Sequence, residues 1–179
     1  MSEIKTIGIA GAGTMGAGIA IVCARSGFKT RVFDLNQDAL DRARAQAEGF
    51  LRKSVERGKL AAEKLPQIME AWSGTTKLED FADCDLVIEA VFESLPVKHD
   101  LFGKLDKICG PEAIFASNTS TISITEIAGG SGRPDRFVGM HFCLPAQLMK
   151  LVEMSPGLST SEETLRVPGR FARLWVKSP

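Results

Sequence analysis

The chain has 179 residues, a length that suits one domain, since domains most often hold about 100 to 150 residues. Lysine plus arginine equals aspartate plus glutamate at 22 each, so no overall field draws in nucleic acid or an anionic membrane. The opening MSEIKTIGIAGAG lacks the long apolar core of a signal peptide, and no apolar run reaches the roughly 18 residues of a membrane span. A soluble, cytoplasmic protein is expected. Cys23, Cys84, Cys109 and Cys143 lie far apart without metal-ligand spacing, and they read as reduced thiols with no metal site.

In chain order, KTIGIAG predicts a strand, followed by a helix from Met15 to about Ser26, a strand KTRVFD, and a charged helix from Gln37 to about Leu60. This βαβα order implies a parallel sheet with helices on both faces. Helical spacing continues from Leu65 to Trp72 and predicts a hairpin packed back on the preceding helix. DLVIEAV, AIFASNTS, RFVGMHF and LMKLVEM read as later strands, nearly continuous in apolar residues as doubly buried strands are. Pro96 predicts a helix start after DLVIEAV, and another helix begins near Ile122. Ser161 is the candidate N-cap of a last helix that Pro168 must start or break.

Gly11, Gly13 and Gly16 form G-x-G-x-x-G between the first strand and the first helix. The first glycine permits a tight turn, the second lets backbone approach a pyrophosphate, and the third lets helix and strand pack closely. Thr14 and Met15 complete the loop. Asp34 ends the second strand at the separation expected of a carboxylate that accepts from the adenine-ribose hydroxyls. Leu35, Asn36 and Gln37 supply no arginine for a 2′-phosphate, so the expected cofactor is NAD.

With GAGTMGAGIA, the acidic strand end at Asp34, SNTS at 117–120, and HF followed by P and MKLVE, the sequence resembles the NAD-binding domain of the L-3-hydroxyacyl-CoA dehydrogenases, including the 3-hydroxybutyryl-CoA dehydrogenases. The resemblance runs from about Lys5 to the last residue. It implies a Rossmann-type, doubly wound, mostly parallel sheet with the helical hairpin inserted after the second strand. It also implies a catalytic histidine at His141, a partner glutamate at Glu153, a substrate-contacting serine at Ser120, and cofactor contacts at Glu93 and Lys98. Lys53 and Arg57 are the expected coenzyme A contacts.

The chemistry of these residue types fits that assignment. An alcohol gives up hydride only as its proton leaves, which calls for a base, and histidine titrates in the useful range. A carboxylate beside it holds the ring in one tautomer. Bland alternatives exist for each: a structural His–Glu pair, turn and N-cap chemistry for SNTS, a salt-bridged helix start for Glu93 and Lys98, and a solvated face for the cations of the long helix.

Two departures from the family stand out. HFCLP carries Leu144 where close relatives usually have asparagine, which removes one cofactor or substrate contact. The chain also stops at VKSP, without the all-helical second domain that supports dimerisation and closes the cleft in these enzymes. A fragment and a natural short protein both remain open, and the chain alone is expected to bind NADH and turn over weakly. The expected partners are an acyl-CoA substrate and a second copy in a homodimer. A free hydroxy-acid dehydrogenase of the same superfamily and a non-catalytic NAD-binding module are the alternatives.

Overall fold

Alternation along each strand decides the architecture. In the computed structural model, which describes residues 4–166, the strands run β1 Thr6–Ala10, β2 Lys29–Phe33, β3 Trp72–Thr75, β4 Leu86–Glu89, β5 Ile114–Ser117, β6 Phe137–Phe142 and β7 Val152–Pro156. They form one seven-stranded sheet in the order β3-β2-β1-β4-β5-β6-β7. Every neighbouring pair is parallel except β6 with β7.

Ile7, Ile9, Leu86, Ile88, Ile114 and Ala116 point to one face. There they meet the helix α1 (Thr14–Arg25), Leu40, Ala43 and Leu51 of α2 (Gln37–Glu56), and Ile68 of α3 (Lys64–Ala71). The alternate residues Ala10, Val87 and Phe115 point the other way. They meet Leu101, Phe102 and Leu105 of α4 (Leu95–Ile108) and Ile127 of α5 (Ile124–Gly129). A period of two thus sends apolar side chains to both faces, and each face needs its own layer of helices. Phe102 anchors the second layer, edge-on to Phe137 at 4.7 Å between ring centroids.

Three of the expected elements come out differently. Trp72 does not close a helix but opens the edge strand β3, whose remaining residues SGT carry no apolar pattern to betray it. Because β3 pairs parallel with β2, α2 and α3 together make the crossover that such a pair requires. The last strand starts at Val152, not at Leu148. Residues 145–149 instead turn, with the amides of Leu148 and Met149 donating to the Pro145 carbonyl. Leu144, Leu148 and Leu151 stay exposed, so an apolar run that reads as buried strand is largely surface. The helix expected near Ile122 begins at Ile124 and is capped by Ser123, whose hydroxyl accepts from the Glu126 amide.

Ser161 caps the last helical stretch as expected, accepting from the Thr164 amide at 3.1 Å, whereas Pro168 lies outside the described residues. All four cysteines are free thiols. Burial pushes Cys84 up to about 12 and Cys109 up to about 11, which keeps both protonated at neutral pH. Among the described residues, no helix is long and apolar enough to cross a membrane, and no group of three or more potential ligands is placed to hold a metal ion.

Candidate active site

The loop between β1 and α1 is built by its glycines. Gly11 sits at φ +107°, and a side chain there would meet the Ala90 carbonyl oxygen at 2.6 Å. A Cβ on Gly16 would fall inside the Gly11 carbonyl, so only glycine lets α1 start against the strand it leaves. Gly13 differs, since a Cβ there would meet nothing within 4 Å. It is the N-cap of α1 and offers no side chain to the first-turn amides, which leaves donors at a helix N-terminus facing open space.

Asp34 closes the other side. Its carboxylate accepts from the Ala12 amide at 2.8 Å and the Asn36 amide at 3.0 Å, which ties the end of β2 to the glycine loop. A cleft of about 520 Å³ opens between these parts, lined by Gly11, Gly13, Thr14, Met15 and Asp34 on one side and by Val91, Val97 and Leu101 on the other. Open space over free helix amides, an aimed carboxylate and apolar walls fit the pyrophosphate, ribose and adenine of a dinucleotide. Asp34→Asn keeps an acceptor for only one of the two amides, sets an NH2 against the other and removes the charge, so NADH affinity should fall by roughly tenfold or more and preference over NADPH should narrow. Fluorescence titration with both cofactors checks this; unchanged affinities would detach Asp34 from the ribose.

Met15, Ala90 and Val91 also line a second pocket of about 210 Å³, bounded by Glu93, Lys98, Asn118, Ser120 and Thr121. From here a chain of hydrogen bonds leaves the cleft. Ser120 Oγ lies 3.0 Å from His141 Nε2, and His141 Nδ1 lies 2.7 Å from Glu153 Oε2. A carboxylate only accepts, so Nδ1 carries the proton in the neutral ring, and Nε2 accepts the Ser120 hydroxyl. His141 and Glu153 face each other because β7 returns antiparallel to β6 in that register. Asn118 brings Ser120 to them: its side-chain oxygen accepts from the Phe142 amide at 2.8 Å, fastening the loop after β5 to β6.

Glu93 and Lys98 do meet, and a third residue that sequence reasoning missed joins them. Lys98 Nζ lies 2.7 Å from Glu89 Oε1 and 3.1 Å from Glu93 Oε2. Lys98 and Glu89 are both fully enclosed. The signal for Glu89 was its place inside DLVIEAV, because a carboxylate in a buried strand must be paired. Partial burial alone would raise the Glu93 carboxyl, but hydrogen bonds from Thr119 and Lys98 and the Lys98 charge outweigh this and hold it at about 2.

A depressed carboxylate stabilises the fold above its ordinary value of 4.5 and loses that contribution as pH falls toward about 2. Thermal melts across this window should therefore fall more steeply for the wild type than for Glu93→Gln; parallel curves would remove Glu93 from the acid response. Lys53 and Arg57 stand apart, exposed at the end of α2 and lining neither pocket.

Sheet, glycine loop and carboxylate together define a dinucleotide-binding domain, with a histidine bonded to Ser120, which lines the adjoining smaller pocket. The family model described as "3-hydroxyacyl-CoA dehydrogenase, NAD binding domain" matches residues 6–179, and the chain belongs to that family. It is 48% identical over 172 residues to the "Probable 3-hydroxybutyryl-CoA dehydrogenase" of Deinococcus radiodurans, covering 96% of this chain and 62% of the relative. The protein of the same description from Bacillus subtilis is 44% identical, with 90% of this chain and 56% of that one covered. The crystal structure of 3-hydroxybutyryl-CoA dehydrogenase from Escherichia coli K12 superposes with a TM-score of 0.96 at 40% identity, over 99% of this chain and 38% of that one. The chain thus spans little more than half the length of the two curated relatives.

Proposed function

We propose that the protein interconverts L-3-hydroxyacyl-CoA and 3-ketoacyl-CoA with NAD as the redox cofactor. The observation that carries this reading is the Ser120–His141–Glu153 chain, which begins at Ser120 in the pocket adjoining the glycine-loop cleft. Bound NAD supplies the acceptor of the hydride. In oxidation, His141 Nε2 takes the proton of the substrate hydroxyl, and in reduction it returns that proton to the alkoxide oxygen. Ser120 donates to the same oxygen and fixes it beside Nε2. Glu153 holds the ring in the Nδ1–H tautomer and stabilises the imidazolium that forms.

Thioester substrates are inferred from the dehydrogenases named for the relatives, and Lys53 and Arg57 are the cations assigned to the coenzyme A phosphates. The test is a spectrophotometric assay of the full-length protein with NADH and acetoacetyl-CoA, beside free acetoacetate and NADPH. Turnover of about 1 to 1000 per second is expected with the thioester and NADH. Reduction of the free acid at a comparable rate would favour a hydroxy-acid dehydrogenase, and NADH binding without any turnover would favour a binding module.

A further inference from the structure

We propose that Glu93 is a positioning residue for Ser120, and that the buried pair of Glu89 and Lys98 fixes Glu93 in turn; the proposal rests on the roles assigned above to Ser120 and His141. Four donors of the loop after β5 converge on one oxygen of Glu93. Its Oε1 accepts from Thr119 Oγ1, from Thr121 Oγ1 at 3.2 Å, and from the amides of Ser120 at 3.1 Å and Thr121 at 3.3 Å. One of these amides belongs to Ser120 itself, so Glu93 restrains the backbone from which the hydroxyl reaches His141.

The other oxygen of Glu93 meets Lys98, whose side chain is 1% exposed although that of Glu93 is 40% exposed. Lys98 cannot leave without unpairing Glu89, which lies wholly inside the protein and also accepts from the Val91 amide at 2.8 Å and from Ser117 Oγ at 2.5 Å. Ser117 is the last residue of β5, where the loop departs. The loop is therefore held at its root through Glu89 and along its length through Glu93, with Lys98 joining the two carboxylates. An ammonium engaged this way acts on the Ser120 loop through its neighbours.

The test compares Glu93→Gln, Glu93→Asp, Ser120→Ala and the double variant Glu93→Gln with Ser120→Ala in the full-length protein. Amide hydrogen exchange at residues 119–121 needs no substrate. Glu93→Gln should raise it by about tenfold or more, Glu93→Asp by less, and Ser120→Ala hardly at all. In the acetoacetyl-CoA assay at saturating NADH, Glu93→Gln should lower kcat. Added to Ser120→Ala it should change kcat by no more than about twofold, because both substitutions remove one unit. Unchanged exchange would overturn the proposal, as would full additivity in kcat. Should the wild type turn over no acyl-CoA, the functional reading fails and the exchange result alone decides the positioning role.

Discussion

His141→Asn should lower turnover of acetoacetyl-CoA by about 10² to 10⁴-fold and leave NADH affinity close to that of the wild type. The two halves of this expectation follow from geometry. Ser120 Oγ bonds to His141 Nε2, and an asparagine there, which titrates nowhere near neutral pH, leaves the substrate proton without a destination. The cofactor cleft is lined by other residues, from Gly11 to Leu101, and His141 is not among them. The ring also serves the fold little, being part-exposed near the end of β6, so the variant should melt close to the wild type. Steady-state kinetics with a parallel NADH titration decides the matter. A variant that retains a tenth or more of the activity would reduce His141 and Glu153 to a surface ion pair.

Gly16→Ala should damage both cofactor affinity and stability, whereas Gly13→Ala should damage affinity alone. At Gly16 the added methyl collides with the Gly11 carbonyl, and neither backbone can yield without moving α1 from β1. Forced repacking of this kind costs about 1 to 3 kcal/mol, a fall in Tm of roughly 2 to 12 °C for a chain of this size. The displaced helix start also misaims the amides that serve the pyrophosphate, and losing two charge-assisted hydrogen bonds weakens NADH by about a hundredfold or more. At Gly13 the methyl enters empty space, so the fold tolerates it, but that space is where the phosphates must come. Calorimetric titration and thermal melts of the two variants separate the effects. Equal melting temperatures for Gly16→Ala and the wild type would show that the loop relaxes freely, against this account.

The outer strands mark how far pattern alone reaches. KTIGIAG and DLVIEAV are doubly buried, so hydrophobicity reports them directly. WSGT is an edge strand with one buried residue, and a helix ending at Trp72 satisfies the same pattern. Leu148 and Leu151 mislead in the opposite direction, being apolar and exposed. Periodicity measures burial averaged over neighbours, and at sheet edges and surface turns that average no longer tracks backbone conformation.

The cofactor half of the site was legible because it is local. Gly11, Gly13 and Gly16 act on backbone within a few residues, and Asp34 follows at one strand's remove, so spacing in the chain stands for spacing in three dimensions. The His141 half was legible only in its residue types, through the family resemblance, and its catalytic role is the one proposed above.

What the sequence determined by itself is therefore the alternation of strands and helices, the glycine loop and the acid that faces it, since these follow from steric freedom and apolar period over short stretches. Only the tertiary structure decided that β7 turns back antiparallel to set Glu153 against His141, that Asn118 carries Ser120 across to β6, and that Glu89 completes a buried charge cluster with Lys98 and Glu93. The physical reason is separation along the chain. Ser120 and His141 are 21 residues apart, and Glu93 lies 27 residues before the Ser120 amide it holds. Contacts at such distances come from register and strand order, which are set by how whole faces pack and not by the residues between.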